Sequence, residues 1–374
     1  MPPASSLVRR GRRGPVLHPT PEVTPGRQAT RKRKPCGPGY RSSRDTSRGT
    51  AVAGTGVPRS GATRLPMWQR ARLMEGELRS GCRPEGDAIV DLVLRPGRAD
   101  DASECGRICF EAFSGIAREH GFSSDIPGAD EAAGMCGMLL NHPGFYSVVA
   151  ELDGRIVGSN FLDERSPVTG VGPITVDPAA QNGGIGRRLM HDVMRRAAER
   201  QAPGIRLLQS GYHARSFALY AGLGFEFRET VACLQGPPIG GGVPGYGVRA
   251  ATDADLAACD EVCRKVHGTD RGGEVTDALT MGTARVTEHD GRVTGYATDL
   301  SFFAHAVGES TDDIKALIAE APAFGGPGIL VPARNSTLLQ WCLRRGLKVQ
   351  QLMSLMTIGL YNEPAGAYLP SILY

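Results

Sequence analysis

Six consecutive residues, Gln181-Asn182-Gly183-Gly184-Ile185-Gly186, separate a strand-prone stretch from an amphipathic one. Glycines let a backbone bring its N–H groups close to a ligand. A helix starting at such a turn adds about half a positive charge. That combination suits a phosphate, and Arg187 and Arg188 strengthen the field. Neither GxGxxG nor the GK[ST] of a P-loop is present. By itself the turn leaves a phosphate loop and a plain turn both open. Two cysteine pairs at helical spacing, Cys105/Cys109 and Cys259/Cys263, offer too few ligands for a closed zinc site. They read as small buried apolar residues. The nine cysteines are scattered without CxxC. No metal and no disulfide framework are expected, and a reducing cytoplasm is.

These residues need elements to hold them. Ile174-Thr175-Val176 is strand-forming, and Pro178 ends the strand. Beyond the turn, Ile185, Leu189, Val193 and Ala197 share one helix face, with charged residues elsewhere. Upstream, Val148 to Leu152 and Arg155 to Gly158 flank Asp153-Gly154. Asp-Gly accepts the positive φ angles of a two-residue hairpin turn.

The chain then repeats itself. Arg95, Asp101, Cys105 and Cys109 reappear as Arg249, Asp255, Cys259 and Cys263, 154 residues later. The hairpin reappears around Asp290-Gly291 at an offset of 137. A helix stop followed by a strand, Tyr220-Ala221-Gly222-Leu223-Gly224-Phe225, reappears at Cys342 to Leu347 at an offset of 122. Gly224 and Gly346 suit the left-handed position just past a helix. The shrinking offsets mean that the second copy is shorter, and its second contraction falls on the glycine turn. Its helix from Asp312 to Ala321 follows Gly308-Glu309-Ser310-Thr311 with no such turn, and Cys342 stands where the first copy has Tyr220.

The order strand, helix, hairpin, strand, Gln-x-x-Gly-x-Gly, helix, strand, Tyr-bearing helix resembles the GNAT superfamily of N-acetyltransferases over about residues 91–234. The likeness extends in degraded form over about 247–361. It implies an α+β (mixed α/β) fold of two tandem acyl-CoA N-acyltransferase units, each a mostly antiparallel mixed sheet flanked by helices. It implies acetyl-CoA as cosubstrate and direct acetyl transfer to an amine. By the same resemblance, Gln181, Asn182, Gly183, Gly184, Ile185, Gly186 and Arg187 would hold the pyrophosphate. Ile174, Thr175 and Val176 would pair with the pantetheine amides, and an N–H near Val176 would polarise the thioester carbonyl. Tyr220 would protonate the departing thiolate, a role that a phenol protonated at neutral pH can fill. The base is open among Asp163, Glu164, His213 and His191. Many relatives carry an asparagine before the Tyr-bearing helix, and this chain has none between Tyr212 and Tyr220.

Residues 1–66 hold 14 Lys and Arg against two acidic residues, leaving −8 on the rest of a chain whose total is +4. That arm is Arg-, Pro-, Gly- and Ser-rich and reads as disordered. It is the one segment with which nucleic acid binding would be expected. Domains are expected at 91–236 and 247–374, with linkers at 67–90 and 237–246. No apolar run approaches ~18 residues, so no membrane span is expected. A secretory signal is not expected either. The acceptor is expected to be a small-molecule or peptide amine, and homo-oligomerisation is left open. Glu119, Asp125, Asp130 and Glu131 read equally as attractors of a cationic amine and as solvated loop charges. The apolar tail 368–374 is expected to line the acceptor cleft. The rival readings are a non-catalytic acyl-CoA sensor or scaffold and a nucleic-acid-binding protein working through the arm.

Overall fold

The computed structural model describes residues 92–373. The arm 1–66, the linker 67–90 and Tyr374 lie outside the described residues. The first copy runs β1 (Leu92–Pro96), α1 (Ala102–Glu119), α2 (Ala129–Asn141), β2 (Phe145–Leu152), β3 (Arg155–Asp163), β4 (Thr169–Val171), β5 (Thr175–Val176), α3 (Ile185–Glu199), β6 (Gly204–Ser210), α4 (Ala214–Gly222) and β7 (Glu226–Gln235). The second runs β8 (Gly247–Ala250), α5 (Leu256–His267), α6 (Gly272–Met281), β9 (Arg285–His289), β10 (Arg292–Ala297), β11 (Ala306–Gly308), α7 (Thr311–Glu320), β12 (Ile329–Pro332), α8 (Ser336–Arg344), β13 (Lys348–Gly359) and β14 (Ala367–Leu369).

Repetition in sequence becomes repetition in geometry. Both hairpins turn on Asp-Gly with φ of +51° and +74°, at Asp153-Gly154 and Asp290-Gly291. Arg95 donates to Asp101 at 2.7 and 2.8 Å and to Glu151 at 2.7 Å. Arg249 makes the same fork to Asp255 at 2.8 Å and to Glu288 at 2.9 Å. Cys105, Cys109, Cys259 and Cys263 are all free and buried. Ile185, Leu189, Val193 and Ala197 form the buried face of α3.

The sheets cross the boundary of the repeat. One sheet has the order β1-β2-β3-β4-β6-β13-β7-β12, with β5 paired to β3. The second copy's β13 lies between β6 and β7 of the first. The first copy's β7 lies in turn between β13 and β12 of the second. The remaining strands form the sheet β14-β11-β10-β9-β8. This exchange places second-copy helices and loops over the first copy's sheet.

Beneath that cover lies a buried polar chain. The Arg271 guanidinium donates to Glu274 at 2.6 and 2.7 Å. His305 Nδ1 lies 3.1 Å from Glu274, and its Nε2 lies 3.0 Å from the Tyr296 hydroxyl. Burial pulls the His305 imidazole down from 6.5 to about 4, helped by Arg271 and opposed by Glu274. The neutral ring is therefore the folded form. Its stabilisation is complete above pH 6.5 and is lost as pH falls towards 4. Stability should drop by about 2 kcal/mol between pH 7 and 5 from this group. Urea titrations of the wild type and of His305→Gln, which does not titrate, should show the wild type losing more on acidification.

Candidate active site

β4 and β6 run parallel but pair at only two positions, Thr169↔Ile205 and Gly170↔Arg206. Beyond them β5 turns to β3, with Gly158↔Val176 and Ser159↔Thr175 in register. A gap therefore opens between β5 and β6. Asp177 donates to Val157 O at 2.9 Å. Alternation along an antiparallel pair then turns the Val176 N–H away from β3 and into the gap.

The glycine turn stands at the gap's end. Asn182 and Gly184 take positive φ, +69° and +82°. Gly184 is the N-cap of α3 and places no side chain over its first turn. Gln181 is not free to serve as a backbone element alone, because its side chain donates to Val176 O at 3.1 Å. Arg215 on α4 ties the turn down, reaching Gln181 at 2.6 Å and Asn182 at 3.3 Å. A Cβ on Gly186 would meet Leu219 at 3.7 Å and Val176 at 3.8 Å, so the turn sits between α4 and β5.

A cavity of about 1230 Å³ fills the gap and continues under the second copy. Ile174, Thr175, Val176, Gln181, Asn182, Gly184, Ile185, Gly186, Arg187 and Tyr220 all line it; Gly183 does not. Tyr220 is buried on α4 with its ring edge-on to Phe225 at 6.1 Å. Burial pushes its phenol above the ordinary value. The cavity is also walled by Phe113, Asp125, Ile126 and Met138 from the first copy, and by Glu274, Asp277, Met281 and Phe302 from the second.

The base candidates are redistributed. Asp163 and Glu164 do not line the cavity. Asp163 is forked by Arg165 at 2.5 and 2.9 Å, and Glu164 is held by Arg196 and Arg200 at 2.8 to 3.1 Å. His191 lies on α3 away from the cavity, and His213 lines it. Burial pulls His213 down to about 4, with Arg215 adding to the shift. Asp125 lines the cavity too, and burial raises its carboxyl to about 6 against the lowering effect of a 2.6 Å hydrogen bond from Gln351. Gln351 comes from the second copy, and no motif in the sequence pairs the two. Of the other loop carboxylates, Glu119 and Glu131 also line the cavity and Asp130 does not.

The tail reaches the same chamber. Ile372 donates its N–H to Phe302 O at 2.9 Å, and Ile372 and Leu373 line the wall. A Cβ on Gly170 would lie 1.8 Å from Leu373 O. Gly170→Ala must therefore displace the tail. We expect the KM for a working amine to rise about tenfold, the scale of a lost apolar pocket contact, with acetyl-CoA affinity held. Steady-state kinetics and calorimetry on that variant separate the two constants; an unchanged KM denies the tail a place in acceptor binding.

The second copy shows what a closed version of this site looks like. Ser310 caps α7 by accepting from the Asp313 N–H, and Asp313 accepts from the Ser310 N–H and hydroxyl at 2.8 and 2.7 Å. Thr294 also donates to Asp313, which is buried. A carboxylate of the chain thus sits at the helix start that the first copy leaves uncapped. Ile314, Leu317, Leu338 and Cys342 pack in one core there.

Residues 111–225 match the model of the acetyltransferase (GNAT) family. That stretch carries a GNAT acetyltransferase domain. Among curated proteins, a mycothiol acetyltransferase of Amycolatopsis mediterranei is 31% identical over 153 residues. That match covers 38% of this chain and 48% of the relative, so it spans about half the relative's length. A putative acetyltransferase from Pyrococcus horikoshii shares the fold, with 17% identity and a TM-score of 0.58, covering 77% of this chain and 98% of its own. A tandem GNAT protein from the clavulanic acid biosynthesis pathway aligns with 16% identity and a TM-score of 0.47, covering 72% and 98%. The GNAT domain includes the glycine turn, the gap and Tyr220, and no described helix is long and apolar enough to cross a membrane.

Proposed function

We propose that this protein transfers an acetyl group from acetyl-CoA directly to the amine of a small-molecule or peptide acceptor. The observation that carries the reading is one cavity holding an uncapped glycine-rich helix start, the gap beside Val176, and Tyr220. These residues fit the cosubstrate. The open first turn of α3 and Arg187 suit its pyrophosphate. The strand edge of β5 suits the amides of its arm. Acetyl-CoA supplies an acyl group already activated as a thioester.

The chain's part is positioning, polarising and moving protons. The acceptor nitrogen's lone pair forms the new C–N bond and the C–S bond breaks. The Val176 N–H stabilises charge on the carbonyl oxygen. The Tyr220 hydroxyl gives its proton to the thiolate sulfur. Asp125, one of the carboxylates lining the cavity, takes the proton that the acceptor nitrogen loses. A carboxyl titrating near 6 is closer to working pH than an ordinary aspartate. Holding both substrates in one chamber supplies the effective concentration that the reaction needs. The seven cysteines among the described residues are buried and free, which suits a reducing cytoplasm.

Because Asp313 sits at the second copy's helix start, binding should saturate at one acetyl-CoA per chain. Calorimetric titration with acetyl-CoA, followed by thiol release across an amine panel, tests the proposal. Binding without turnover on any amine would leave an acyl-CoA sensor. Absence of binding would remove the proposed chemistry.

A further inference from the structure

We infer that the side-chain amide of Gln209 holds the pantetheine arm of the cosubstrate from the β6 wall of the gap. This rests on the acetyl-CoA reading above. Ile205 and Leu207 of β6 pack in the same core as Ile185 and Tyr220. Two-residue alternation puts Gln209 on that same face, and it lines the cavity. Its backbone is in register with Ser354 of β13, so its other edge is already covered.

The side chain is 6% exposed, yet its Nε2 has no hydrogen-bond partner. Its Oε1 lies 2.8 Å from the Ser216 hydroxyl, which also lies 2.9 Å from His213 O. An amide can be placed either way round in such a network. If flipped, Nε2 would donate to Ser216 and Oε1 would be left over. In both arrangements one atom of a buried amide, on a residue that lines the cavity, is left without a partner. Such an atom is costly to bury unless something pairs with it. No amide side chain on the following segment offers an alternative, since Tyr212 to Tyr220 contains neither Asn nor Gln.

A ligand group that pairs with Gln209 must carry a donor or an acceptor and must lie in the gap beside β6. The pantetheine arm carries two amides, and the adenosine end carries none. Gln209 therefore reads the arm and is indifferent to the nucleotide. Ser216 acts as a positioning residue that fixes the amide's direction.

The test compares two ligands by calorimetry: acetyl-CoA, and adenosine 3′-phosphate 5′-diphosphate, which lacks the arm. Gln209→Leu should weaken acetyl-CoA by about 5- to 30-fold and leave the nucleotide within twofold. Ser216→Ala should move acetyl-CoA in the same direction by less. Gln209→Leu should melt no lower than the wild type, because it removes an orphaned polar atom. Equal losses for both ligands, an unchanged acetyl-CoA affinity, or a lowered melting temperature with both affinities held would overturn the assignment. Failure of the wild type to bind either ligand would sink the cosubstrate reading itself, a visibly different result.

Discussion

Tyr220→Phe should lower acetyl transfer by about 10²- to 10⁴-fold, the range of a lost general acid, while acetyl-CoA affinity stays within twofold. The argument starts from burial. Tyr220 is 7% exposed at the end of α4, and burial pushes its phenol above the ordinary value. It is therefore protonated at neutral pH, which a donor to a departing thiolate requires. Phenylalanine keeps the ring and its edge-on packing against Phe225, so the fold should not change. A purely structural tyrosine would show the reverse pattern, with turnover held and melting temperature lowered. The raised phenol also means that wild-type turnover should not decline through pH 10 on account of this group. A Phe variant with wild-type turnover would remove Tyr220 from the chemistry.

The elements that build this site were legible where the signal is local. The α3 face, the Asp-Gly hairpins and the glycine turn each follow from a few adjacent residues. The contraction of the second copy also pointed to the missing loop, because offsets are a property of the sequence alone. What replaced the loop was not legible, since Asp313 reads as an ordinary first-turn carboxylate until Thr294 is brought beside it. The strand exchange was hidden for a similar reason. β7 and β13 carry similar patterns, and nothing local states which copy's β6-like strand each will join. Asp163 and Glu164 were attractive because they end β3 near the expected chemistry. Arg165, Arg196 and Arg200 occupy them, the last two from the end of α3 and its C-cap, more than thirty residues away. Asp125 and Gln351 meet only because β13 crosses into the first sheet, so their pairing is a product of tertiary structure.

Gly184→Asp should weaken acetyl-CoA binding by about 100-fold or more without unfolding the domain. Gly184 caps α3 at φ +82°, and a Cβ there would meet nothing within 4 Å. Space is therefore no obstacle; the cost is the left-handed backbone, about 1–2 kcal/mol for an L-residue. Aspartate is among the side chains that tolerate that region best. What changes is charge. The first-turn N–H groups and Arg187 would face a fixed carboxylate where the pyrophosphate is proposed to lie. Like charges about 5 Å apart repel by roughly 1–3 kcal/mol at effective dielectric constants between those of water and a protein surface. A diphosphate meets that repulsion more than once. The second copy likewise has a carboxylate at its helix start, although there it is Asp313 in the first turn, with Ser310 at the N-cap position that Gly184 holds in the first copy. Gly184→Asn separates the two contributions, because it shares the backbone strain and adds no charge. Its affinity should fall between the wild type and the aspartate variant in calorimetry. Equal losses for Asn and Asp would assign the effect to the backbone, and full binding by the aspartate variant would place the pyrophosphate elsewhere.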